Sequence, residues 1–244
     1  MNFSEAITPY TDETGLVHPD ISHSSQNGLT YLGYTLALKS VLGELNHFDS
    51  QNFKVAVSKC SLRPGLIARL PGLTYQQSFD DYQGVICGAT LTKSYNVIAD
   101  VLEFGRNNHL KLGPFKFKYF YNTDRPYTQV DRSGIRNWSA WFGRFPMFRL
   151  LVKLLENPRS ILYNHIGFNM TSVIKALTAN HHDDHAWMFL FVTVEAFGTK
   201  GLKAQLTIIM RDRGMTFKKA FAQYFGTKHP ITDFIPDEPW AHLV

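Results

Sequence analysis

The chain has 244 residues, 44% of them hydrophobic and 18% charged, with a formal net charge of +5 and a pI near 9.1. That length and apolar content exclude a disordered chain. So small a basic excess, scattered along the sequence, argues against a dedicated nucleic-acid groove. Aromatics reach 14%, with 19 Phe and 11 Tyr, so rings are expected to supply much of the burial.

At the N-terminus Met1 to Ala6 shows neither a basic n-region nor an apolar h-region, and no signal peptide is expected. Asp12-Glu13 then falls in a loop ahead of Gly15. Leu29, Leu32, Leu36, Leu42 and Leu45 mark one face of a helix from about Gly28 to Leu45. Weaker helical periods cover 51–61, 80–92 and 94–105. Cys60 and Cys87 take apolar positions within such patterns, which makes them buried, inert thiols; neither spacing suggests zinc, and nothing calls for a disulfide. Arg63-Pro64-Gly65 and Arg69-Leu70-Pro71-Gly72 read as a turn-rich loop whose arginines are either solvated or face a carboxylate or phosphate.

Asn107 to Trp138 is broken by glycine and proline and reads as a long irregular excursion. Within it Phe115, Phe117 and Tyr119 alternate with Lys116 and Lys118, as in a short strand or extended loop. Trp138, Trp141 and Phe142 predict an aromatic helix that stops at Gly143 and restarts after Pro146. Met147, Leu150, Leu151, Leu154 and Leu155 continue as an amphipathic stripe, with a weaker pattern over 160–178. A helix is expected from His181 to Phe197, although residues 186–194, which hold the unbroken apolar run Ala186–Val192, also suit a buried strand. That apolar run is far shorter than the ~20 residues that cross a bilayer, so no membrane partner is expected. Leu202, Leu206, Ile209 and Met210 form a stripe closed by Gly214; Phe217, Ala220, Phe221, Tyr224 and Phe225 form another closed by Gly226. From about His229 a tail holding Pro230, Pro236 and Pro239 is expected to lie extended across the surface. The fold class is mainly α: one domain, 1–244, an array of eight or nine antiparallel helices able to close into a partial α/α toroid, with the excursion around 107–138.

The densest polar cluster is Asn180-His181-His182-Asp183-Asp184-His185. On a helix His181 and His185 share a face, the geometry of a transition-metal pair, with Asp184 beside them. Helix capping by Asn180 and Asp183, with two acids at the positive end of the dipole, accounts for the acids equally well but leaves the histidines unexplained. No third ligand follows from spacing. Ser78 and Asp81 likewise have capping-box spacing, with Asp80 beside them. Together with Asp12-Glu13 this makes three acidic doublets that cap separate helices or converge on one pole, as glycoside hydrolysis requires. P-loop, G-x-G-x-x-G, G-x-S-x-G, H-E-x-x-H and paired C-x-x-C motifs do not occur.

Several runs in order, Asp12 to Gly15, Ser25-Gln26-Asn27-Gly28-Leu29, Ser78-x-Asp80-Asp81-Tyr82-x-Gly84, Phe104-Gly105-Arg106 and Trp141-Phe142-Gly143-Arg144-x-Pro146, resemble a group of helical proteins of unassigned activity encoded by tailed bacteriophages near virion genes. The resemblance spans residues 12 to about 156 and excludes the histidine cluster. It implies a helical fold and a phage setting, synthesis in the host cytoplasm followed by incorporation into the virion, and it brings no catalytic residues with it. The leading expectation is a virion or tail-associated structural protein, without a cofactor, that binds other virion or tail proteins or further copies of itself. The alternative is a helical-toroid hydrolase or lyase acting on cell-wall or capsular glycan, with Asp12, Glu13, Asp80, Asp81, Asp183 and Asp184 as candidate acids. A third reading, a metal-dependent hydrolase, centres on His181 and His185, with His182 adjacent.

Overall fold

Two glycine-bearing helices set the arrangement of the rest. The computed structural model describes residues 2–23, 25–73, 79–107, 111–112, 115–116, 184–198, 200–226 and 229–244. In chain order these hold α1 (Phe3–Ile7), α2 (Gly28–Leu42), α3 (His47–Cys60), β1 (Ser61–Arg63), β2 (Leu66–Ile67), α4 (Phe79–Leu91), α5 (Tyr95–Asn107), β3 (Lys111–Leu112) and β4 (Phe115–Lys116). After them come α6 (Asp184–Phe197), α7 (Lys200–Asp212), α8 (Phe217–Phe225) and 3-10 turns that include Pro230–Phe234 and Ala241–Leu243. The protein is mainly helical, with eight α-helices among the described residues. The helices expected at 138–142, 147–155 and 160–178, and the excursion beyond Lys116, lie outside the described residues. The described start of that excursion is a two-residue antiparallel pairing of β3 with β4, Leu112 opposite Phe115.

The helices begin and end where local chemistry dictates. Asn46 accepts from the Phe48 and Asp49 amides while the Asp49 carboxylate accepts from the Asn46 amide, a reciprocal cap that starts α3 at His47, four residues before its apolar period begins. α2 stops at Leu42 because Gly43 adopts a left-handed conformation (φ 71°), so Leu45, the expected end of the helix, lies beyond the observed one. Nor is α2 buried on one face alone: every residue from Gly28 to Lys39 is buried, as befits a central helix.

α2 runs parallel to α4, as the contacts Thr30–Asp81, Gly33–Gly84 and Leu36–Gly88 advance together. α3 runs against α4, with Ser50 donating to the Thr92 carbonyl at one end and Phe53 against Gly88 further along. Around this trio α6 and α8 contribute Phe191, Phe217 and Phe221, with ring centroids 4.5 and 5.2 Å from Phe191. Tyr31 on α2 meets Tyr224 and Phe225 on α8 at 5.0 and 4.9 Å. Each ring removed from water contributes about 2–3 kcal/mol.

The tail departs from the expected surface strip. Ile231, Ile235 and Trp240 are all buried, and Trp240 stacks on Phe191 at 5.1 Å. Pro230 opens a 3-10 turn, and the tail's large apolar residues belong to the core. Cys60 and Cys87 are buried free thiols, as their positions predict.

A Cβ on Gly33 would stand 2.4 Å from the Gly84 Cα and carbonyl oxygen, and one on Gly84 would stand 2.2 Å from the Leu29 carbonyl oxygen. Gly33→Ala and Gly84→Ala should therefore each lose about 3 kcal/mol or more in denaturant unfolding, despite a helix-propensity gain of about 1 kcal/mol. Gly88→Ala should lose less, because the atoms it would meet belong to the Phe53 and Leu36 side chains, which can shift.

Candidate functional site

Because α2 and α4 are parallel, their N-terminal ends, where unpaired amides carry partial positive charge, lie side by side. Asp81, in the first turn of α4, is 2% exposed and reaches across to α2: its Oδ1 accepts from the Thr30 amide (3.1 Å) and the Thr30 hydroxyl (2.9 Å). The Arg69 Nε stands 3.7 Å from Asp81 Oδ2, and an Arg69 Nη donates to Asn27 Oδ1, just ahead of α2. The buried carboxylate is thus matched by a helix terminus and a guanidinium. Next in sequence, the Tyr82 hydroxyl donates to the Gly65 carbonyl (3.0 Å) and accepts from the Ile67 amide (2.8 Å), which fastens the β1–β2 loop to α4. Burial pushes the Tyr82 phenol well above its usual range.

Asp12 belongs to the same end of the molecule. Its Oδ1 accepts from the Thr14 amide (2.8 Å), the Thr14 hydroxyl (2.7 Å) and the Leu16 amide (3.0 Å), closing a tight turn. Its Oδ2 is 2.9 Å from His18 Nε2, and the other ring nitrogen of the buried His18 is 3.1 Å from the Ser25 carbonyl. Partial burial alone would raise the Asp12 carboxyl; the hydrogen bonds from Thr14, His18 and Leu16 outweigh it and hold the group below its ordinary value. Burial pushes the Cys60 thiol up to about 12, and the charges of Asp81 and Asp12 both add to that rise. One carboxylate from each of two acidic doublets, Asp12 and Asp81, therefore acts on the thiol at the end of α3.

Convergence does not make them an acid/base pair. A general acid needs a carboxyl raised toward neutrality and an approach for substrate. Asp12 is lowered, Asp81 is enclosed, and both spend oxygen lone pairs on internal donors. Their chemistry is that of fasteners.

The other candidates divide as follows. Glu13 offers its backbone carbonyl to Lys59 Nζ at 3.2 Å. Asp80 lies in the first turn of α4 but its side chain is not among those described. Asp184 and His185 open α6, again without described side chains; His181, His182 and Asp183 lie outside the described residues, so the proposed metal pair is not placed. Among the described residues no group of three His, Cys, Asp or Glu could hold a metal ion. No helix there is long and apolar enough to cross a membrane.

Sequence reasoning missed three participants. His18 sits in a segment without informative period, though an Asp with Thr two residues on does signal a turn, and Thr30 lies off the leucine face of α2 that the period marks. Glu195 ends an apolar run, yet it accepts from Ser40 Oγ (2.7 Å), Lys203 Nζ (2.5 Å) and Trp240 Nε1 (3.1 Å), joining α2, α6, α7 and the tail. The chain matches no protein-family model, no curated protein and no solved structure.

Asp81→Ala should destabilise the fold by on the order of 3 kcal/mol, since it strands the buried Thr30 amide and the Arg69 charge. A second expectation concerns acid. Asp12 is lowered by folding, so its contribution is complete above its unfolded value near 3.8 and fades as pH falls through the lower folded value. Acid titration followed by circular dichroism should show that fading in the native chain and a weaker one in Asp12→Asn.

Proposed function

We propose that the chain is a bacteriophage virion or tail-associated component that acts through protein–protein surfaces and not through a reactive centre. The observation that carries the reading is the commitment of Asp12 and Asp81 to internal hydrogen bonds: Asp81 joins α4 to α2, and Asp12 closes its own turn onto His18. The phage setting is supported by the ordered residue runs from Asp12 to about 156 alone. Partners would be other virion or tail proteins or further copies of the chain, met by an array of helices that closes toward a partial toroid. Phe48 and Val55, seven residues apart on α3 and 71% and 50% exposed, give such a protein apolar contact area. The tail lends less support than its prolines suggested, because its anchors face inward.

Mass spectrometry of purified virions should find this polypeptide as a stoichiometric component; virions complete without it would end the proposal. The glycan-cleaving alternative predicts release of reducing sugar from cell-wall or capsular polysaccharide, abolished by Asp12→Asn or Asp81→Asn in a variant that still folds.

A further inference from the structure

His229 joins two parts of the chain that lie far apart in sequence. Its ring is 7% exposed, 4.1 Å from the Tyr10 ring centroid and 5.6 Å from that of Phe225 on α8. Its Nδ1 accepts from the Ile231 amide (3.3 Å) and so caps the Pro230–Phe234 turn. That bond puts the ring proton on Nε2, which is buried facing the Pro19 carbonyl, outside hydrogen-bond geometry. From the same turn Phe234 packs edge-on against Phe3 of α1, with centroids 6.3 Å apart.

We propose that His229 is an acid-sensitive latch, whose protonation releases the Pro230–Phe234 turn from the N-terminal segment between Phe3 and Pro19. The second proton can go only to Nδ1, where the Ile231 N–H already points, so the cap is lost as the charge appears. Burial beside Phe225 and the Pro19 loop deprives the cation of water, which the face of the Tyr10 ring offsets only in part. Tyr10 is the titratable group that faces the ring; Asp12, His18 and Asp20 are the ionisable residues of the loop that presents Pro19. Burial holds the His229 ring below its ordinary value, against the opposing pull of the Pro19 carbonyl. A histidine depressed in this way stabilises the closed form above its unfolded value of about 6.5 and loses that contribution as pH falls through the folded value. Opening stays local, because the remainder of the tail is held by Trp240 on Glu195, by the Phe217 amide on the Asp237 carbonyl (3.0 Å) and by Arg211 on Glu238.

The test is amide hydrogen exchange on the full chain from about pH 7.5 to about pH 5, corrected for intrinsic rates, with the His229 ring followed by NMR over the same range. Protection at residues 3–10 and 230–235 should fall by about ten-fold in step with the ring titration, while α2 and α4 stay protected. His229→Asn, which keeps a capping oxygen and cannot take a charge, should remove the pH dependence. An equal fall in that variant would overturn the proposal and transfer the effect to the Asp12–His18 loop. Should the variant not fold, the wild-type chain decides alone: a ring that titrates while both segments remain protected sinks the latch.

Discussion

The approach of α2 to α4 through Gly33 and Gly84 is the constraint on which the remaining structure depends. With no side chain at the crossing, the two backbones come within van der Waals contact, and the flanking residues interlock at the distances that result. Tyr34 reaches Gln83 (2.9 Å), Thr30 reaches Asp81, and Leu36 lies over Gly88. Two parallel helices cannot be joined by a short turn, so α3 must return along them. The β1–β2 hairpin and the loop to α4 complete that return. The glycines thus determine the path of the chain as well as the packing density.

Parallel helices also bring two positive ends together, and the polar residues follow from that. Asp81 answers both termini from a buried position, and Arg69 answers Asp81. Elsewhere the same logic recurs on a smaller scale: Glu44 accepts from the Phe3 and Ser4 amides and so caps α1, while Lys39 at the end of α2 pairs with Asp49 at the start of α3 (2.6 Å). Each carboxylate ties one element to another. Buried charges of this kind add little net stability, but breaking one is costly, so they select a single arrangement of the helices. That role explains why acids can gather at one end of the molecule without forming a catalytic pair.

Both ends of the described chain are held by the same apolar surfaces. Phe3 meets Phe234, Tyr10 meets His229, and Trp240 fills the space beside Phe191 and Phe217 at 5.1 and 4.9 Å. The aromatic richness of the composition is used here, to let a short segment with no long helix anchor itself through a few large side chains. Prolines in such a segment limit its regular structure and leave its burial undetermined, which is why they misled as a sign of surface exposure.

What the amino-acid order determined by itself was a set of local events: the apolar stripes of α7 and α8, the left-handed glycine at 214 that closes α7, and the burial of both thiols. Those depend on neighbours three or four residues away, and period and residue type report them directly. The tertiary structure alone decided which helices touch, that Asp81 serves α2, that Asp12 pairs with His18, and that Glu195 binds four elements together. These outcomes depend on groups from 6 to 155 residues apart. A carboxylate is chemically the same whether it caps its own helix, fastens another or meets a substrate. Its role is settled by the donors that folding places around it.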